Sequence, residues 1–160
     1  MKIFTSHQIR LLDQYTIEHE PISSIDLMER ASNALYNKFV VLFSVQRPVL
    51  IFAGPGNNGG DALALARMLM DRTYNVKVIL IQNAKLSADC LINKNKLLDK
   101  YPNSLVEYVN EFHVPEISPD TLVVDRLFGS GLARPLKGVF ADAVNWMNST
   151  KNKVISIDLP

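Results

Sequence analysis

The sequence of 160 residues has few of the features that mark secreted, membrane-spanning or nucleic-acid-binding proteins. Its single cysteine, Cys90, excludes an intramolecular disulfide and fits a reducing compartment. Apolar runs such as 39–43 and 78–81 fall far short of the ~20 residues needed to span a bilayer. The net charge is only +1, and the lysines and arginines are scattered, unlike those of nucleic-acid binders. We therefore expect a soluble, cytoplasmic protein that binds neither membranes nor nucleic acid.

The chain instead has alternating strand and helix patterns. A first amphipathic helix is predicted from residue 6 to about residue 18, with Ser6 as its N-cap, and a second from about residue 24 onward. Short apolar strands then alternate with helical periodicity, with strands at 48–53, 76–81, 105–109, 121–124 and 154–157 and helices at 61–72, 87–100 and 139–147. This alternation predicts an α/β domain with a parallel sheet and helices on both faces. Residues 110–120 are predicted to form a loop, and 1–160 a single domain.

The most informative motif is the segment GPGNNGGD at 54–61, which follows the first buried strand. Glycines let backbone N–H groups approach an anion, and a helix N-terminus adds a favourable partial charge. We expect Asp61 to cap that helix or contact a ligand hydroxyl. A dinucleotide fold would need an acid ~20 residues later and a P-loop would need Gly-Lys-Ser/Thr, and neither is present. The motif predicts a phosphate-bearing ligand, although a tight strand–helix connection is the simpler alternative.

Two further strands end in an acid, at Asp125 and Asp158. Because parallel strands present their carboxyl ends at one edge of a sheet, these acids should lie close to Asn58. Carboxylate and amide oxygens beside glycine-rich loops could hold a cation together with a polar, phosphate-bearing ligand. The alternative is that each acid simply caps the helix that follows its strand.

Together these segments resemble one known family. The loop GPGNNGGD, the stretch VVDRLFGSGLARP at 123–135, the ending SIDLP and the early helices around 10–18 and 27–31 are similar to the NAD(P)H-hydrate epimerase family, the YjeF N-terminal domain. The resemblance implies a three-layer Rossmann-like fold with two leading helices. It also implies an enzyme that interconverts the R and S epimers of hydrated NADH and NADPH. Its expected partners are a second copy of the chain and a dehydratase that repairs one epimer.

The resemblance also implies which residues form the site. Substrate contacts are expected at Asn57, Asn58, Gly59, Gly60, Asp61, Gly129, Ser130, Gly131, Leu132, Ala133, Arg134, Pro135 and Asp158. A potassium ion (K+) is implied, with Asn58 and Asp125 as ligands. Epimerisation requires proton transfer, and a carboxylate bound to a cation is a poor proton shuttle. We therefore predict Asp158 as the catalytic acid/base and Asp125 as a structural, ionised ligand.

The chain departs from the family at three points, the mildest of which is Ala62, where the family usually has a glycine. Arg126 stands where the family usually has a small residue, and it could crowd the site or pair with Asp125. The family's domain continues beyond the SIDLP motif with another potassium ligand, so we expect the C-terminus to be incomplete; in the parent protein a dehydratase domain could follow it. The alternative function is a non-catalytic nucleotide-binding or scaffold module of the same fold. A redox dehydrogenase is weakened by the missing ribose-binding acid.

Overall fold

The computed structural model describes residues 4–82, 85–129, 132 and 135–158. Its elements follow the predicted order: α1 (Ser6–His19), α2 (Ser24–Leu42), β1 (Val49–Ala53), α3 (Asn57–Met70), β2 (Val76–Ile81), α4 (Ala88–Lys100), β3 (Leu105–Tyr108), β4 (Leu122–Arg126), α5 (Val139–Ser149) and β5 (Val154–Ser156). The predicted α/β class is confirmed. Within this described part, no helix is both long enough and apolar enough to cross a membrane.

The five strands form one parallel sheet in the order β3-β2-β1-β4-β5. The chain builds outward from β1 through β2 to β3, then crosses back to place β4 on the other side of β1. The strand order therefore changes direction between β1 and β4. In open α/β sheets, the crevice beyond the carboxyl ends of such a strand pair is where ligands bind.

Side-chain alternation along the strands gives the sheet two apolar faces. On one face, Val49, Ile51 and Ala53 of β1 pack against α2, α3 and α4. On the other face, Leu50 and Phe52 pack against α5 and the segment that joins β3 to β4. All five residues of β1 are buried, as expected for a central parallel strand. The predicted three-layer architecture with helices on both faces is thus confirmed.

The segment between β3 and β4 covers one face of the sheet without forming a helix. Phe112 lies 6.2 Å from both the Phe52 ring and the Trp146 ring, measured between ring centroids. Ile117 packs against the same apolar cluster. The predicted loop at 110–120 is confirmed, and its apolar residues take the place of a crossover helix.

Two helix starts differ from the predictions. Thr5, and not Ser6, caps α1, because its hydroxyl accepts from the Gln8 N–H while the Gln8 side chain accepts from the Thr5 N–H. The third helix begins at Asn57 and not at Asp61. The second half of the glycine-rich segment is therefore the first turn of α3, which brings its N–H groups to the end of β1.

Candidate functional site

The segment from Gly54 to Asp61 turns sharply at the carboxyl end of β1. A methyl group at Gly59 would overlap the carbonyl oxygen of Gly54, so only glycine permits this backbone approach. The N-cap residue of α3, Gly56, provides no side-chain hydrogen bond to the first turn. The first N–H groups of a helix have no partner within it, so this turn offers backbone donors to an anion. Asn57 is exposed here and Asn58 is half-buried.

Polar side chains of two other helices, α2 and α4, contact the start of α3. Asn93 of α4 is buried, and its Nδ2 donates to the Gly60 carbonyl at 3.1 Å. Ser32 of α2 is buried as well, and its hydroxyl lies 3.5 Å from the Asp61 carbonyl and from Oδ1 of Asp61. Sequence reasoning missed both residues. For Ser32 a signal was available, because it follows the apolar Met28 by one helical turn and therefore lies on the face of the helix that is expected to be buried.

The end of β4 presents two charged side chains in opposite directions. Successive residues of a strand alternate between the faces of the sheet, so Asp125 and Arg126 diverge. Asp125 Oδ1 accepts from the Leu127 N–H at 3.0 Å, which closes a tight turn after the strand. Arg126 instead faces the layer of α3 and is buried. The prediction that Arg126 pairs with Asp125 is therefore wrong.

Arg126 joins two other acids. Its Nη2 lies 2.6 Å from Asp61 Oδ2, and its Nη1 lies 3.4 Å from Asp158 Oδ2. The side chains of Arg126 and Asp61 are only 10% and 15% exposed, whereas that of Asp158 is 35% exposed. The guanidinium thus connects the start of α3 to the end of β5 across β4.

Asp61 is the fifth residue of α3, and the prediction that it caps this helix is wrong because the N-cap is Gly56. Burial raises the pKa of the Asp61 carboxyl above its ordinary value. The charge and hydrogen bond of Arg126 oppose this rise but do not cancel it. A largely buried carboxyl with a raised pKa has the properties of a functional group.

Gly129 brings the separate motifs together. A methyl group at this position would overlap the Asn58 side-chain amide and the Asp158 carboxylate. The three segments of the predicted site therefore meet at one point, beyond the ends of β1, β4 and β5. The other residues of the second loop are less informative, because Leu132 and Pro135 are exposed, while Ser130, Gly131, Ala133 and Arg134 lie outside the described residues.

Asn58 and Asp125 have side-chain oxygens of the kind that hard cations bind. Asn58 provides an amide in the first turn of α3 and Asp125 a carboxylate near the end of β4, and the hydrogen bond from the Leu127 N–H occupies one oxygen of Asp125. Across the described ranges, no group of three or more His, Cys, Asp or Glu side chains could hold a metal ion. Sites for Ca²⁺ and Mg²⁺ usually contain carboxylates and many oxygens. An amide and a carboxylate oxygen are chemically compatible with the K+ ion that the resemblance implies.

Comparison with known proteins gives a consistent result. The family model described as YjeF-related protein N-terminus matches residues 24–160. The NAD(P)H-hydrate epimerase of Limosilactobacillus reuteri is 36% identical over 160 residues, which cover 99% of this chain and 73% of that protein. The bifunctional NAD(P)H-hydrate repair enzyme Nnr of Thermofilum pendens is 34% identical and aligns with all of this chain, which covers 31% of that protein.

A solved structure shows the same fold. The crystal structure of the yeast protein ynu0 (YNL200c) superimposes with a TM-score of 0.81 at 21% identity, covering 100% of this chain and 71% of the yeast chain. At that identity the likeness supports the architecture alone. The family-model match and the relative from L. reuteri go further, and they show that the chain belongs to the family of YjeF-related protein N-terminal domains.

Proposed function

We propose that this protein is an NAD(P)H-hydrate epimerase, which interconverts the R and S forms of hydrated NADH and NADPH. Several similar proteins carry that name, with 31–36% identity over nearly the whole of this chain. One structural observation supports the proposal most strongly. Gly129 packs against both the Asn58 amide and the Asp158 carboxylate, so the motifs of the resemblance form a single site at the switch point of the sheet.

Each part of this site has a place in the proposed reaction. The first turn of α3 binds the diphosphate through its N–H groups and fixes the nucleotide. The reacting carbon carries a hydroxyl beside the ring nitrogen, and it inverts by loss and return of water or by opening and closing of the ring. Both routes move a proton without any change in oxidation state. Asp158 is the proposed acid/base, because its carboxylate is the more exposed of the two that contact Arg126.

The proposed cation is K+, held by Asn58 and Asp125. When bound, it supplies a fixed positive charge between the two loops. Asp125 remains a structural ligand in this proposal, since its carboxylate also holds the turn after β4 through the Leu127 N–H. The remaining members of the predicted set, from Asn57 to Asp61 and from Gly129 to Pro135, are proposed to contact the substrate.

The test is to follow a single purified epimer of hydrated NADPH by chromatography, with and without the protein. We expect faster formation of the other epimer in potassium buffer than in tetramethylammonium buffer. Asp158→Asn should abolish most of this rate, whereas Asp99→Asn, a change on the exposed side of α4, should leave it unchanged. If the wild-type protein does not accelerate epimerisation in either buffer, the proposed function is wrong.

A non-catalytic nucleotide-binding module of the same fold is the second candidate. The buried Arg126 at the site favours it, because the family usually has a small residue there. Such a module would bind NADPH without converting the epimers. Binding measured by calorimetry, combined with an epimer ratio that does not change, would identify this function.

The proposed partners are a second copy of the chain and an NAD(P)H-hydrate dehydratase. Helix α1 and the segment just before it expose large apolar side chains, namely Phe4, Ile9, Leu11, Leu12 and Tyr15. Covering them in a homodimer would remove apolar surface from water. The bifunctional relative of T. pendens indicates that the dehydratase can be fused to such a domain. We expect the wild type to sediment as a dimer and Leu12→Glu to sediment as a monomer. We also propose that the protein is cytoplasmic, where it would meet NADH and NADPH.

A further inference from the structure

We propose that Arg126 is a positioning residue for the epimerisation, holding the Asp61 and Asp158 carboxylates in fixed relation to each other; the inference rests on the proposed function. Its two terminal nitrogens contact two different carboxylates, Asp61 at 2.6 Å and Asp158 at 3.4 Å. One carboxylate lies on α3 and the other follows β5, so the two groups come from segments that are far apart in the chain. The guanidinium is the shared contact between them.

The position of Arg126 on β4 makes this contact possible. It is the last residue of the strand, and it pairs in register with Ala53 of β1. Alternation directs its side chain to the face covered by α3, where Ala53 has only a methyl group to occupy space. The small alanine leaves room on this face for the longer arginine side chain, which reaches Asp61 in the second turn of α3. A small residue at position 126 would leave the two carboxylates without this contact.

Arginine and lysine differ in what they can do here. A guanidinium is planar and rigid and has nitrogens pointing in separate directions, whereas an ammonium is a single point charge. Arg126→Lys therefore keeps the charge but cannot maintain both contacts in the same geometry. Displacement of a catalytic group by about 1 Å can lower a rate roughly 100-fold. Because substrate binding depends largely on the glycine loop, the loss should affect kcat more than KM.

Arg67 provides a matched control. Its side chain is 19% exposed and pairs with a carboxylate of another helix at 2.5 Å. Like that of Arg126, its Nε is buried and has no hydrogen-bond partner among the residues that the structure describes. Arg67 lies near the end of α3, about two turns of helix beyond Asp61. Arg67→Lys therefore perturbs a similar ion pair outside the site. A purely structural role for Arg126 predicts that the two variants behave alike.

The experiment compares the wild type, Arg126→Lys and Arg67→Lys by the kcat and KM for a single epimer of hydrated NADPH and by thermal unfolding. We expect Arg126→Lys to lower kcat by roughly 10- to 100-fold with KM changed by less than about 3-fold. Arg67→Lys should keep wild-type kcat whatever its melting temperature. A second variant, Arg126→Gly, should regain kcat when guanidinium ion is added at low millimolar concentration but not when methylammonium is added.

The outcomes separate the two proposals. An active wild type whose kcat is retained in Arg126→Lys overturns the positioning role and leaves the epimerase intact. Equal losses of kcat in the Arg126 and Arg67 variants, in proportion to their melting temperatures, also overturn it. If Arg126→Lys and Arg126→Gly do not fold, Asp61→Asn decides, since it breaks the same bridge and wild-type kcat there would contradict the proposal. A wild type without epimerisation overturns the proposed function, and this inference with it.

Discussion

Two ion-pair clusters of this molecule each contain a partly buried arginine, but the ratio of cations to carboxylates is reversed between them. The helix cluster, Arg67, Lys96 and Glu29, joins α3, α4 and α2 with two cations around one carboxylate. The strand-end cluster, Arg126, Asp61 and Asp158, joins β4, α3 and the end of β5 with two carboxylates around one cation. In the described part of the chain, each guanidinium has a buried Nε without a hydrogen-bond partner.

This difference suggests that the helix cluster stabilises the fold, whereas the strand-end cluster takes part in the chemistry of the site. In the helix cluster both oxygens of Glu29 accept from Arg67 Nη2, at 2.5 and 2.7 Å, so the carboxylate is well satisfied. In the strand-end cluster one guanidinium is divided between two acids, and burial raises the pKa of Asp61 despite that guanidinium. A buried carboxyl with a raised pKa beside the proposed ligand site can accept or share a proton, as a group that takes part in acid–base chemistry must.

The largest effect is expected from filling the turn beside the strand-end cluster. In Gly59→Ala the new methyl meets the Gly54 carbonyl, and backbone cannot move aside as a side chain can. We expect a loss of ~3 kcal/mol or more in the free energy of unfolding. Gly56→Ala is the control, because no atom lies within 4 Å of its added methyl and its φ is −91°. Urea unfolding of both variants measures the difference, and equal stabilities would contradict the tight turn.

The next effect should appear in the helix cluster. Glu29→Ala leaves Arg67 and Lys96 without their carboxylate in a partly buried setting, and we expect a loss of about 2 kcal/mol in stability. The control, Glu20→Ala, removes an exposed pair with Arg30, and should cost no more than ~1 kcal/mol. Neither variant should change the epimerisation rate of the folded protein. A rate that falls for Glu29→Ala but not for Glu20→Ala would show that the helix cluster also serves the site.

A smaller effect, confined to activity, is expected at the junction of the site. Gly129→Ala places a methyl against the Asn58 amide and the Asp158 carboxylate, both side-chain groups that can shift. We expect kcat/KM to fall at least ~10-fold, about 1.4 kcal/mol in transition-state stabilisation, with a loss of stability below ~1 kcal/mol. Steady-state kinetics and urea unfolding of the same preparation measure both. Unchanged kcat/KM would contradict the convergence of Asn58, Gly129 and Asp158.

The smallest effect concerns the thiol beneath the glycine loop. Cys90 Sγ lies 3.8 Å from the Gly54 carbonyl oxygen, and burial raises the pKa of the thiol from 9.0 to about 11. The unfolded thiol ionises first, so its contribution to stability is complete below about pH 9 and is lost as the pH rises towards about 11. At about pH 10 the wild type should lose roughly 1 kcal/mol more than Cys90→Ala does. If urea unfolding gave the same pH dependence of stability for both proteins between about pH 8 and 10, the thiol would not be buried away from water.

Much of this fold was predictable because central parallel strands must be apolar throughout. The residues of β1 and β2 and the glycine-rich turn between β1 and α3 marked these elements in the sequence. Local hydrogen bonds were harder to predict. Whether Thr5 or Ser6 caps α1 depends on the Gln8 side chain, and the start of α3 lies within the motif read as a loop.

The candidate site was only partly predictable. The acids at strand ends follow from sequence position, so the convergence of Asp158 with Asn58 was expected. The partner of Arg126 was not, because it depends on which face of β4 the side chain occupies and on how close α3 passes. Ser32 and Asn93 were missed for a similar reason, since their contacts join helices far apart in the sequence.

The central claim is that hydrated NADPH binds at the strand-end cluster and not at the helix cluster. Hydrogen–deuterium exchange with and without this ligand tests it most directly, by comparing a peptide spanning 54–61 and one spanning 122–129 with one spanning 91–100 of α4. The account predicts slower exchange on ligand binding in the first two peptides and no change in the third. Protection confined to 91–100, or absent from 54–61 while the ligand is bound, would contradict it.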